Sequence, residues 1–141
     1  MPPDADLAKE WLKKAHNDMA AARLLAAQPA LRDTALYHCQ QAAEKSVKGL
    51  LVFHGRSFAK IHDIVELIAA NLQALPQLRE WLPSAARLTP YAVRFRYPGD
   101  LIQPSAEETA EILACAEDMV SGTLRLLPEA IRREVGERTD E

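Results

Sequence analysis

Between Tyr37 and Lys48 the sequence YHCQQAAEKSVK sets phenol, imidazole, amide, carboxylate and ammonium groups within twelve residues. Tyr37, Gln41, Glu44 and Lys48 stand at i, i+4, i+7 and i+11, which is one row along a helix, with His38 and Lys45 beside them. Glu44 and Lys48 are in the favourable order for an ion pair, worth only about 0.2–0.5 kcal/mol on an exposed helix. One reading is therefore a plain salt-bridged edge. The other is recognition, because mixed donors and acceptors in a row suit a polar ligand better than they suit packing.

A second cluster is Arg94-Phe95-Arg96-Tyr97-Pro98. At helical spacing Arg87, Tyr91 and Arg94 share a face, and the guanidinium groups emerge where the helix meets the turn Tyr97-Pro98-Gly99-Asp100. A guanidinium binds phosphate or carboxylate through two parallel hydrogen bonds. It can also staple two helices, here by pairing with Asp18 or Glu44.

Other chemistries find no support in the sequence. His16, His38, His54 and His62 show no ligand spacing of the HExxH kind, so no metal is expected. There is no glycine-rich phosphate loop, and no cofactor is implied. Cys39 and Cys115 fall at helix-interior positions and read as buried thiols of a reducing compartment. The start MPPDADLAKEWLKK lacks the apolar run of a signal peptide, and no stretch approaches the ~18 apolar residues of a membrane span. A cytoplasmic protein without membrane contact is the expectation. The net charge of -3 excludes wholesale coating of nucleic acid while permitting a local basic patch.

The elements that must position these groups are helices. Five Gly, nine Pro and 6% aromatics in 141 residues favour helices joined by proline-marked turns, in one domain. A first amphipathic helix runs from Leu7 to about Ala27, with Leu7, Trp11, Ala15, Met19, Ala22 and Ala26 on its inner face and Asp18 at the rim. The second, capped by Asp33 or Thr34, runs to about His54 and stops at Gly55. Its apolar stripe of Leu36, Ala43, Val47, Leu50 and Leu51 and its small-residue stripe of Cys39, Ala42, Ser46, Gly49 and Phe53 require neighbours on two sides, hence a central place.

A third helix spans about Ile61 to Leu72, with Ile61, Val65, Ile68 and Leu72 inward. A short piece, QLREWL, lies between Pro76 and Pro83, and a fourth helix spans about Ser84 to Phe95, restarted at Pro90 behind a Thr89 cap. The last long helix begins at the Ser105–Glu108 capping box and passes through Ile112, Ala116, Met119 and Thr123 to Leu127. The sum is an all-α antiparallel up-and-down bundle of four main helices over residues 1–128, with 129–141 a short helical or frayed tail.

The run Tyr37 to Lys48 with its QAAEK-x-x-K element, the stretch Lys60-Ile61-His62-Asp63-Ile64 and the turn Arg96-Tyr97-Pro98 together resemble the HEPN domain, the higher-eukaryote and prokaryote nucleotide-binding family, from about Leu7 to Leu127. The resemblance implies a helical bundle that dimerises, often encoded beside a minimal nucleotidyltransferase as in toxin–antitoxin pairs. It implies a nucleotide- or partner-binding module. Arg94, Arg96 and Lys48 would then hold phosphate, Gln41 and Glu44 would contact base or ribose, and Tyr97 would stack or donate a hydrogen bond, with Tyr37 and Lys45 completing the site.

Some members of the family are ribonucleases that act without metal, through an Arg and a His separated by four to six residues at a dimer cleft. Arg56 and His62 satisfy that spacing, with His62 as the group able to move a proton. The pair lies in the loop leading into the third helix, with His62 at its N-terminus, whereas the ribonuclease motif belongs to a later helix. A purely structural dimerisation module is the third reading.

Overall fold

The long helices form where apolar residues recur at three and four positions, and where they stop follows from local chemistry. In the computed structural model, which describes residues 4–58, 60–93 and 103–136, the α-helices are α1 (Ala5–Ala26), α2 (Arg32–Phe53), α3 (Ile64–Asn71), α4 (Leu82–Leu88), α5 (Ala106–Arg125) and α6 (Glu129–Gly136). Short 3-10 turns cover Pro29–Leu31, Pro76–Trp81 and Thr89–Ala92, and no strand occurs among the described residues. The all-α bundle is as the sequence implied.

α2 ends as expected. Gly55 adopts φ 68°, and the N–H groups of Gly55 and Arg56 donate to the carbonyls of Val52 and Leu51 at 2.9 Å each, the doubled bond pattern of a glycine-terminated helix. The start of α2 differs from the expectation. Pro29 opens a 3-10 turn that feeds straight into Arg32, so Leu31 takes the cap position, and the Asp33 carboxylate accepts from the Thr34 N–H at 2.8 Å inside the first turn.

α3 begins three residues later than expected, because the Asp63 carboxylate caps it by accepting from the Glu66 N–H at 3.2 Å. His62 is left outside the helix, and the buried face becomes Ile64, Leu67, Ile68 and Asn71. Pro83 stands in the first turn of α4, where a missing N–H costs nothing, so α4 starts before it. Thr89 is no cap: its hydroxyl donates back to the Ala85 carbonyl at 2.8 Å. Phe95 and the turn Tyr97–Asp100 lie outside the described residues. Ser105 caps α5 by accepting from the Glu108 N–H at 3.0 Å, and the Glu108 carboxylate accepts from the Tyr91 hydroxyl.

α1 against α2 is the most extensive helix pair, followed by α2 against α5. α2 also touches α3 and α4, so it is the central helix. Leu12 faces Gly49 while Asp18 meets His38 and Lys45, so α1 runs antiparallel to α2. Around α2 lie Leu12, Met19, Leu36, Leu50, Leu51, Ile68, Ile112 and Met119, all fully buried, and each such side chain contributes about 1.5–3 kcal/mol.

The inner face of α1 is Ala5, Ala8, Leu12, Ala15, Met19 and Ala22. Leu7, expected inside, is 55% exposed, and Trp11 is half-buried. This small rotation puts the Trp11 indole at the rim of the bundle. α6 buries Ile131 and Val135, and Glu134 anchors it to Lys9 at 2.8 Å.

Candidate functional site

Half of the predicted polar row on α2, Glu44 and Lys48, is enclosed, as is Gln40 beside it, while Tyr37 and Gln41 are half-buried. Glu44 is 5% exposed, Lys48 4% and Gln40 0%. Two charges withdrawn from water this far must find partners, and both do. Lys48 Nζ lies 3.0 Å from Glu44 Oε2. It also stands 5.6 Å from the centroid of the Trp11 ring and 5.2 Å from that of Phe58, within the range in which an aromatic face attracts a cation. Trp11 and Phe58 meet edge to face with centroids 5.8 Å apart. Gly49 makes this possible, since a Cβ there would stand 3.0 Å from Leu12 Cγ and 3.2 Å from Trp11 Cβ.

On the other oxygen, Gln40 Nε2 donates to Glu44 Oε1 at 3.1 Å, and Gln41 Nε2 donates to Gln40 Oε1 at 2.7 Å. From the segment before α3, His62 Nδ1 lies 3.4 Å from both Glu44 Oε2 and Lys48 Nζ. Lys48 can only donate and Glu44 can only accept, so a bare Nδ1 turns to the lysine and a protonated one to the carboxylate. Elsewhere on the rim the Asp18 carboxylate accepts from Lys45 Nζ at 2.5 Å and holds His38 Nδ1 at 2.8 Å.

These groups line a hollow of about 490 Å3 bounded by Trp11, Tyr37, Gln41, Glu44, Lys45, Lys48, His62, Ala92 and Val93. Six residues singled out in the sequence thus share it: Tyr37, Gln41, Glu44, Lys45, Lys48 and His62. Arg94, Arg96 and Tyr97 lie outside the described residues. Where the sequence offers arginines as partners for Asp18 and Glu44, among the described residues these carboxylates hold Lys45 with His38, and Lys48 with Gln40. Each lysine of the hollow is therefore matched by a carboxylate, and the described wall is close to neutral.

Arg56 and His62 are not brought together within the chain. Arg56 Nε donates to Asn71 Oδ1, and the residue lines a separate hollow of about 200 Å3 with Asp4, Leu7, Val52, Gly55 and Ser57. His62, with 72% of its side chain exposed, stands at the mouth of the α2 hollow. No group of three or more His, Cys, Asp or Glu able to hold a metal occurs among the described residues.

Sequence reasoning missed Trp11, Phe58 and Gln40. Trp11 fell on an apolar stripe and read as core. Gln40 had a usable signal: it stands four residues before Glu44, the spacing at which an amide reaches a carboxylate along a helix.

The chain is thus an all-α bundle centred on α2, with a buried ion pair opening onto a lateral hollow. The HEPN domain profile matches residues 8–126, and the chain belongs to that family. Among solved structures it is similar to TT1696 from Thermus thermophilus, with 26% identity over 85% of this chain and 98% of that one and a TM-score of 0.70. It is also similar to ST0689, an archaeal HEPN homologue, with 26% identity over 82% of this chain and 93% of that one and a TM-score of 0.65. No curated protein matches the sequence.

Proposed function

We propose that this HEPN domain is a binding module whose α2 hollow takes a nucleotide, that it works as a homodimer, and that its partner is a minimal nucleotidyltransferase in a toxin–antitoxin-like pair. The observation that carries this reading is the Glu44–Lys48 pair, 5% and 4% exposed yet forming the wall of an open hollow. Packing alone gives little reason for it, because a buried ion pair replaced by apolar residues of like volume is often neutral or stabilising. The volume of about 490 Å3 also lies in the range of small-molecule sites. In this reading the Trp11 and Tyr37 rings border the base, Gln41 and Glu44 contact base or ribose, and Lys45 and Lys48 offer their remaining N–H groups to phosphate. Arg94, Arg96 and Tyr97 complete the site from the segment that follows Val93.

Metal-independent ribonuclease action by Arg56 and His62 has less support, since Arg56 is engaged by Asn71 and lines another hollow. It requires a second chain to deliver the arginine. Calorimetric titration with ATP, GTP and short RNA, beside a labelled-RNA cleavage assay of wild type and His62→Ala, separates the two. Saturable heat without cleavage supports the binding module. Cleavage abolished by His62→Ala supports the enzyme, and absence of heat at millimolar ligand contradicts the nucleotide reading.

A further inference from the structure

We infer that Gln40, wholly enclosed and outside the α2 row, fixes the side-chain amide of Gln41 so that the hollow presents a carbonyl acceptor, and that the ligand offers an exocyclic amino group there. The inference rests on the reading of the hollow as a nucleotide site.

The argument is one of donors and acceptors. Glu44, ion-paired to Lys48, is a carboxylate and can only accept. The Gln40 amide 3.1 Å from Oε1 must therefore turn its NH2 to it. Gln40 is 0% exposed, so water offers no alternative partner, and its oxygen necessarily faces the other way. That oxygen lies 2.7 Å from the Gln41 amide and needs a donor, which only the Gln41 NH2 can be.

The orientation of Gln41 is thus dictated by an acid three residues along the chain. Turning the Gln41 amide over would set oxygen against oxygen. Turning both glutamines would set oxygen against the Glu44 carboxylate. Gln41 lines the hollow, and its Oε1 accepts no hydrogen bond from any described residue. Gln41 thus presents to a ligand an unpaired carbonyl oxygen, while its NH2, already committed to Gln40, keeps only its second N–H.

Near Trp11 and Tyr37, an acceptor of fixed direction selects a planar ring carrying an amino group and disfavours the same ring carrying a carbonyl, which would bring two lone pairs together. A site that hydrogen-bonds one group discriminates against the analogue lacking it, because its own polar group loses that partner, and Gln41, half-buried, can recover only part of this loss from water. Gln40 acts here as a positioning residue, through Gln41.

The test compares AMP with IMP, which replaces the amino group by a carbonyl, by calorimetry on the wild-type chain and on Gln40→Met. The wild type is expected to bind AMP about tenfold or more tighter than IMP. In Gln40→Met, which frees the Gln41 amide to turn, that ratio is expected to collapse toward unity. Equal affinity for AMP and IMP in the wild type, or tighter binding of IMP, overturns the inference while leaving the nucleotide site standing. An unchanged ratio in Gln40→Met overturns the role of Gln40. If neither nucleotide binds, the proposed function and this inference fall together. Should Gln40→Met not fold, the wild-type ratio alone decides the polarity of the acceptor.

Discussion

Lys48 Nζ and Glu44 Oε2 are 3.0 Å apart, one helical turn from each other on α2, in side chains only 5% and 7% exposed. The spacing is that of an ordinary surface pair, but the surroundings are not. α1 closes over the pair through the Gly49 contact, with the Trp11 and Phe58 rings beside the ammonium. Lys48→Ala leaves the Glu44 charge enclosed with only the His62 imidazole, 3.4 Å away, near its Oε2, and losses from removing one partner of a buried pair run to about 3–5 kcal/mol. Urea unfolding is expected to show a loss of that size, with much of it recovered in Lys48→Met combined with Glu44→Gln. A loss under about 1 kcal/mol in Lys48→Ala would mean that the pair behaves as an exposed one.

Acid sensitivity is expected from His16, whose Nε2 is buried without a hydrogen-bond partner among the described residues. Burial, and then the charge of Arg23, holds its pKa below the ordinary 6.5. Arg23 is paired across to Glu117 of α5 at 2.7 Å, so these are the charged groups that meet at this groove. The unfolded chain therefore takes up the proton first. The stability linked to His16 is fully present above about pH 6.5 and is lost as pH falls below it toward the lower folded value. Unfolding free energies measured between pH 7.5 and 5 are expected to decline less steeply in His16→Leu than in the wild type.

The two thiols are expected to react on different timescales. Cys39 is 0% exposed, and burial pushes its pKa up to about 12, so little thiolate forms near neutrality. Cys115 is partly exposed, with an Arg87 N–H directed at its sulfur at 3.9 Å. Titration with a disulfide reagent at pH 8 is expected to give one fast equivalent that disappears in Cys115→Ser, and a second that appears only on unfolding. A fast phase surviving in Cys115→Ser would contradict the enclosed position of Cys39.

Gly122 is a point of close approach. A Cβ there would stand 2.5 Å from Trp81 Cζ2 and 3.1 Å from Cε2, so the indole or the helix must move. Gly122→Ala is expected to destabilise by about 1–3 kcal/mol through overpacking. Thermal melts would show this, and a neutral substitution would mean that the contact between α5 and the Pro76–Trp81 turn yields freely.

The parts of this molecule that can be read from residue order are those governed by periodicity and local capping. The row Tyr37, Gln41, Glu44 and Lys48 meets on one hollow because four residues at helical spacing must share a side once α2 forms. Gly55 and Ser105 act as terminators for equally local reasons. What could not be read depends on neighbours distant in sequence. The enclosure of Glu44 and Lys48 is produced by α1 and by Phe58, so a pair with the spacing of a weak surface bridge became a buried one. Leu7 and Trp11 sit on the same stripe as Met19 by wheel geometry, yet a modest rotation of α1 leaves Leu7 outside and makes Trp11 a wall of the hollow. His62 reaches Glu44 only because α3 begins at Ile64 rather than at Ile61, a difference decided by the Asp63 cap.

The claim that the α2 hollow is a nucleotide site is tested most directly by a nuclear magnetic resonance titration of the labelled chain with AMP. The account predicts progressive shifts concentrated at Tyr37, Gln41, Lys45, Lys48 and His62 and at the Trp11 indole N–H, saturating by millimolar AMP. Unmoved signals at these positions at that concentration, or shifts gathered instead at the His16 groove between α1 and α5, would contradict it.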